Sequence, residues 1–198
     1  MEWLASALVA ARARLDVATN NLANVSSEGF RKTYAEVSAT RSGVRVDTAR
    51  DRAQGPLVRT GQPFDLAISG QGAFRVRGAD QRILTTRSGH FMRDPQQRLI
   101  DDQGRALIGA AGHPIVVSAR AQVRADGSIA DGGRVVDHLV LPKGSRVSAG
   151  FLERPNVDAI GEMVEVLQAQ RSFETVQHVF ATLDQTRVKA ANDVAQLK

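Results

Sequence analysis

The sequence predicts an α+β fold: a long helix at each end of the chain, packed as a coiled-coil-like pair, flanking an all-β central domain. Three observations carry that expectation. Apolar residues recur at alternating steps of three and four near both termini, the spacing of helices that bury a seam against other helices. Short runs that alternate apolar and polar residues fill the middle. Turn pairs such as Asp94-Pro95, Asp126-Gly127 and Gly132-Gly133 separate those runs, at the spacing of ~8–12 residues found in small all-β domains.

Residues 1–30 make the N-terminal helix. Leu4, Leu8, Ala11, Leu15, Ala18, Leu22 and Val25 follow steps of 4, 3, 4, 3, 4 and 3. Leu8, Leu15 and Leu22 share one core position, and the alanines at the other allow close helix approach. Ser26-Ser27-Glu28-Gly29 stops the helix, because glycine tolerates the left-handed turn that ends it. Residues 31–60 read as a polar, Arg-rich linker or extended segment closing on Gln54-Gly55-Pro56-Leu57.

Residues 61–148 form the central β domain. Its expected strands lie in Phe64–Ile68, Ala73–Arg77, Ile83–Thr86, Arg105–Ile108, Pro114–Val117 and Val135–Leu141, with Gly70-Gln71-Gly72 turning between the first two. Residues 149–198 carry the C-terminal helix, from about Asn156, with Asn156 or Asp158 as its N-cap. Val166, Ala169, Phe173, Val176, Phe180, Leu183, Arg187, Ala190, Val194 and Leu197 continue the heptad spacing, broken only by Arg187. At 1.5 Å per residue the first helix is roughly 35 Å long and the last roughly 60 Å. Paired antiparallel within one subunit, they leave part of the longer seam uncovered, which implies a further partner.

Composition narrows the function. The 198 residues are 42% hydrophobic and 24% charged, with a net charge of +5. The basic residues are scattered rather than run together, as on a solvated surface. With no cysteine, disulfides and Cys-ligated metals are excluded. No stretch reaches the ~20 apolar residues of a spanning helix, and Trp3–Ala11 continues into the helical pattern with Glu2 before it, unlike a signal peptide. Gly70-Gln71-Gly72 opens like a dinucleotide loop, but Arg75 stands where the third glycine belongs. His90, His113, His138 and His178 are too far apart in sequence to suggest a metal site. No catalytic, cofactor or metal residues are therefore expected. The alternative of another class is a basic β domain that binds single-stranded nucleic acid through Phe74, Arg75 and Arg77, although Phe74 alternates with Val76 as a core residue would.

The candidate assembly residues are Leu8, Leu15, Leu22, Val166, Phe173, Val176, Phe180 and Leu183 on the seam, and Asn20, Asn21 and Asn24 at the end of the first helix. Asn20 and Asn24 lie off the seam, one turn apart, where their amides can meet a neighbouring chain. Arg187 sits at a core-type position, where a lone polar residue either fixes register or snorkels. Gly29, Gly70 and Gly72 are structural turns.

Three blocks carry a resemblance. They are Asn20-Asn21-Leu22-Ala23-Asn24-Val25 with Gly29-Phe30-Arg31-Lys32; Thr60-Gly61 with Asp65–Gly72 and Thr86-Arg87-Ser88-Gly89-His90-Phe91; and Gly150-Phe151-Leu152-Glu153, Asn156-Val157, Glu162-Met163 and Gln170-Arg171-Ser172-Phe173-Glu174. In these the chain resembles the bacterial flagellar rod and hook family, the axial proteins of the basal body. The second block is similar to the rod members that carry a β domain. The resemblance implies a structural subunit that polymerises through its terminal helices into a helical tube, transmitting torque and enclosing the export channel. It implies the rod, crossing the periplasm, as location, reached without a cleaved signal peptide. It implies as partners other copies, other rod and hook proteins and the flagellar export apparatus, with no nucleic acid and no membrane insertion. The chain is shorter than typical members, which favours the proximal-rod type; the distal-rod or hook-like type is the alternative.

Overall fold

The computed structural model describes residues 2–40 and 43–196, with the side chains of residues 2–4, 39 and 190–196 outside the description. Seam positions Leu4, Ala190, Val194 and Leu197 therefore fall outside the described residues or side chains. The chain divides into two compact units. Residues 1–23, 32–51 and 157–198 make a helical unit; residues 24–31 and 52–156 make a β unit.

The helical unit contains α1 (Glu2–Ala23), the strands β1 (Thr33–Thr40) and β2 (Gly43–Arg50), and α2 (Ala159–Gln196). Asn21 at the end of α1 meets Glu162 in the first turn of α2, so α1 runs back antiparallel along α2. Asp158 caps α2: its carboxylate accepts the backbone N–H groups of Ile160 and Gly161, satisfying donors that have no partner within the helix. β1 and β2 form an antiparallel hairpin. This corrects the expectation of a linker over 31–60. Val37 sits across from Val46 and Ala35 from Thr48, with Val44 on the same face, a period-two pattern that the surrounding Arg and Thr residues obscure in the sequence.

The β unit holds the remaining strands: β3 (Leu57–Arg59), β4 (Leu66–Ser69), β5 (Phe74–Arg77), β6 (Ile83–Thr86), β7 (Met92–Arg93), β8 (Leu99–Ile100), β9 (Ala106–Leu107), β10 (Gln122–Val123), β11 (Ser128–Asp131), β12 (Arg134–His138), β13 (Arg146–Ala149) and β14 (Phe151–Glu153). All pairings are antiparallel: a five-stranded sheet in the order β6-β5-β9-β8-β7, a three-stranded sheet β10-β11-β12, and the pairs β4–β13 and β3–β14. One core joins them, built around Leu66, Phe74, Val76, Leu99, Leu107 and Ile129. Phe74 meets Phe91 edge to face at 5.3 Å.

Two further expectations change. Pro114–Val117 makes single bridges, Ile108 to Pro114 and Arg98 to Val116, in place of a strand; proline cannot donate to a ladder. Residues 149–158 are not helical. β14 occupies part of them and pairs with β3, so the last helix starts at Ala159.

Candidate assembly surfaces

α1 and α2 lie in contact, and burial is graded over the residues that the heptads place on a seam. Ala11, Ala18 and Ala169 are buried, while Leu8, Leu15, Leu22, Val166, Phe173, Val176 and Phe180 are half-buried. Counting back from the Asn21–Glu162 contact, α1 runs out level with about residue 181 of α2. Burial changes there: every residue from 181 to 189 is exposed, Leu183 and Arg187 included. α2 thus carries its seam beyond the reach of α1.

The asparagines divide between two surroundings. Asn20 is exposed, Asn24 is half-buried and Asn21 is only 1% exposed. Asn21 spends its amide inside the chain. Its Nδ2 donates to the carbonyl of Thr33 at 2.8 Å and to Glu162 Oε2 at 3.1 Å, and its Oδ1 accepts the Thr33 N–H at 2.9 Å. The side chain stands in for a neighbouring strand at the first residue of β1. Lys32 Nζ pairs with Glu162 Oε1 and lies 5.2 Å from the centre of the Tyr34 ring. That hydrogen bond to Glu162 raises the Lys32 pKa, favouring the charged ammonium. Glu162 also lies in the first turn of α2, where the helix dipole favours a carboxylate. A cavity of about 220 Å³ opens beside this cluster, between Arg14, Tyr34 and Glu165.

α2 has a second apolar face. Ile160, Met163, Val164 and Leu167 are 73, 52, 46 and 56% exposed. They follow the i, i+3, i+4, i+7 spacing of one helical stripe and point away from the side that carries Glu162, Val166 and Ala169. Sequence reasoning passed over this stripe because the seam positions interleave with it. Four exposed apolar residues in two turns are its signal.

The β unit contains a different kind of site. Glu153, 2% exposed, holds the turn at residues 24–31 to the strands around it. Its backbone carbonyl accepts the Gly29 N–H at 2.8 Å. One carboxylate oxygen accepts from Arg87 Nε at 2.7 Å, and the other accepts the Gly55 N–H at 3.2 Å with Arg31 Nη2 at 3.9 Å. Arg87 also donates to the carbonyls of Ile68, Gly70 and Gly72, fixing the β4–β5 turn. Gly29 has φ +66°, and a Cβ there would stand 2.4 Å from the Arg87 carbonyl carbon, so no larger residue fits. Gly70 and Gly72 have φ of +92° and +123°. The sequence contained Arg87 and Glu153 within its motifs but assigned them no role, since 66 residues separate them.

His90 sits among carboxylates. Its Nδ1 is 2.7 Å from Asp65 Oδ1 and its Nε2 is 3.7 Å from Asp102 Oδ1. The hydrogen bond to Asp65 raises the His90 pKa, and burial raises that of nearby Glu28. Phe74, on which stacking of a nucleic-acid base would rest, is 2% exposed and belongs to the core. Among the described residues no helix is long and apolar enough to cross a membrane, and no group of three His, Cys, Asp or Glu could hold a metal.

Three family descriptions match successive parts of this chain: "Flagella basal body rod protein" over residues 1–31, "Flagellar hook protein FlgE/F/G D1 domain" over 67–145, and "Flagellar basal body rod FlgEFG protein C-terminal" over 148–193. Among curated relatives, the flagellar basal-body rod protein FlgF of Caulobacter vibrioides is 26% identical over 83% of this chain and 85% of its own length. The flagellar basal-body rod protein FlgG of Agrobacterium fabrum is 26% identical over 91% of this chain and 94% of its own length. The flagellar hook protein FlgE of Salmonella typhimurium is 34% identical over 59% of this chain, but over only 31% of its own length.

Proposed function

Because the chain belongs to the bacterial flagellar rod and hook family, as a basal-body rod protein, we propose that it builds the rod by packing α1 and α2 of many copies into the wall of a helical tube. The protein is a structural subunit of the flagellar basal body. One observation supports the polymerising mechanism above others: α2 continues past the end of α1 with every residue from 181 to 189 exposed. Coiled-coil packing of Leu8, Leu15, Leu22, Val166, Phe173, Val176 and Phe180 extends to neighbouring copies through Leu183 and Arg187. Contacts between unlike patches do not close on themselves, and so generate a helix of subunits. The tube transmits torque and encloses the export channel. Its other partners are the adjoining rod and hook proteins and the export apparatus that delivers the subunit.

The proximal-rod type fits best. Relatives of both names match at similar identity, and this reading rests on the short stretch of chain between the first motif block and Gln54.

The test combines limited proteolysis with circular dichroism across concentration, and immunodetection in isolated basal bodies. The expected result is cleavage of α2 near its end in dilute protein, survival of the β unit, and helicity that rises as large species form. A chain protected throughout and monomeric at every concentration, and absent from basal bodies, overturns the reading.

A further inference from the structure

We propose that the apolar stripe at the start of α2 receives the uncovered distal part of α2 from another copy of this chain, with the two helices parallel and staggered by about twenty residues. The inference rests on the polymerising reading above and names the contact that reading leaves open.

Among the described residues, two apolar stretches of α2 lack cover. The first is the stripe Ile160, Met163, Val164 and Leu167. It is short, about 11 Å along the axis, and Gln168, Gln170 and Arg171 follow it. The second is the stretch of α2 at and beyond the end of α1, where Val179 and Leu183 are 37% and 39% exposed. Leu183 is the next heptad position after the half-buried Val176 and Phe180. A partner there must therefore extend an existing helix–helix contact in the same heptad phase, and that demands an apolar helical face. The stripe at Ile160–Leu167 is such a face on the same chain, and the excess length of α2 supplies the reach.

The direction follows from the symmetry. Copies related by one repeated step along an axis keep their helices in the same sense, so α2 meets α2 in parallel. Matching Leu183 to Met163 offsets the copies by about 30 Å at 1.5 Å per residue. The two patches differ, so each copy offers one to the copy on either side and the contact propagates.

The chain has no cysteine, so engineered ones report without interference from native thiols. Met163→Cys and Leu183→Cys are produced together, as single variants, in flagellated cells that lack their own copy. Basal bodies are isolated and oxidised, and the linked peptides are identified by mass spectrometry. A disulfide needs Cα atoms within about 7 Å. Within one α2 these positions stand about 30 Å apart, so a 163–183 link can form only between copies. The expected result is a 163–183 link that exceeds both like-with-like links. Leu167→Cys with Arg187→Cys, also twenty residues apart, samples the same register should the first pair fail to incorporate. Like-with-like links alone, or no link in basal bodies that contain the protein, overturn the staggered contact and leave the rod-subunit reading standing. A link from Val9→Cys on α1 to position 163, in place of 183, assigns the stripe to α1 and overturns it too. Absence of the unmodified chain from basal bodies overturns the rod-subunit reading itself.

Discussion

The β unit and the helical unit solve the same burial problem differently. Around Leu66, Val76, Leu99, Leu107 and Ile129 the β unit leaves 0% of the side chains exposed. The helical unit buries alanines at its seam, but its leucines, valines and phenylalanines stop at half-burial. On α2 the exposed apolar residues Ile160, Met163, Val164 and Leu167 lie in a row at helical spacing. Those of the β unit, such as Val58, Met92 and Val116, are scattered over strands and a loop. A closed core folds on its own, whereas a half-closed seam with a second apolar stripe is a surface awaiting more of its kind.

The largest way to break this contrast is to damage the β unit. Glu153→Ala removes the carboxylate that pairs with Arg87 and Arg31. It leaves the Arg87 guanidinium, whose side chain is 8% exposed, without its anion. Removing one partner of a buried pair costs about 3–5 kcal/mol. Thermal unfolding followed by near-UV circular dichroism should show a midpoint lower by roughly 2–4 °C per kcal/mol. The loss should be present in dilute monomer and independent of concentration. A shift of only a degree or two would mean that the turn at residues 24–31 is held by its backbone alone.

A smaller effect is expected at the junction within the helical unit. Asn21→Asp keeps the acceptor for the Thr33 N–H but removes the donor to the Thr33 carbonyl and to Glu162. It also sets a second carboxylate beside Glu162. A buried polar group left unpaired costs about 1–3 kcal/mol. Hydrogen exchange should show faster opening of β1 and of the last turn of α1, with the β unit unchanged. Equal protection in both proteins would show that Asn21 acts elsewhere, as its sequence position at the helix end first suggested.

Phe180→Ala sharpens the comparison further. A fully buried phenylalanine costs about 3–5 kcal/mol on truncation. Phe180 is half-buried in the single chain, so the monomer should lose about half of that by the same reckoning. Assembly, measured by sedimentation, should lose far more, because the neighbouring copy completes the burial. A full-sized loss in the monomer with normal assembly would make the helices a self-contained hairpin.

These expectations show where the sequence was legible. The helices were, because heptad spacing is local and survives without knowledge of the partner. Gly29 was recognised as a turn from its place after Ser26-Ser27-Glu28. The hairpin at 33–50 was missed because a polar, Arg-rich composition outweighed its period-two pattern. The bonds of Glu153 and Asn21 were not readable. Each depends on chain segments brought together from far apart, Arg87 and Gly55 for one and Thr33 and Glu162 for the other, and no spacing rule encodes such meetings. The stripe at Ile160–Leu167 was present in the sequence at ordinary helical spacing, but a helix with two apolar faces reads as one seam until burial separates them.

The smallest expected effect concerns protons. His90 gains its partner Asp65 on folding, and its pKa is raised. Its contribution to stability is therefore complete below the ordinary imidazole value of ~6.5 and is lost as pH rises through the higher folded-state value. Glu28 is raised by burial, so its contribution is lost in the same direction, as pH rises from the ordinary carboxylate value of ~4.3 through its higher folded-state value. Both act in one direction: the turn at residues 24–31 and its neighbours should loosen as pH climbs from mildly acidic to mildly alkaline. The His90 side chain is 36% exposed, and solvent screening holds the effect below about 1 kcal/mol. Stability of the β unit measured against pH should fall across that window in the native chain and fall less in His90→Gln, which keeps a hydrogen bond to Asp65 and leaves only the contribution of Glu28. A native profile no steeper than the variant's would show that Asp65 holds the imidazole by geometry alone. In the helical unit the hydrogen bond to Glu162 raises the Lys32 pKa, away from this window, so that contact should not add to the response and the two units separate here as they do in their cores.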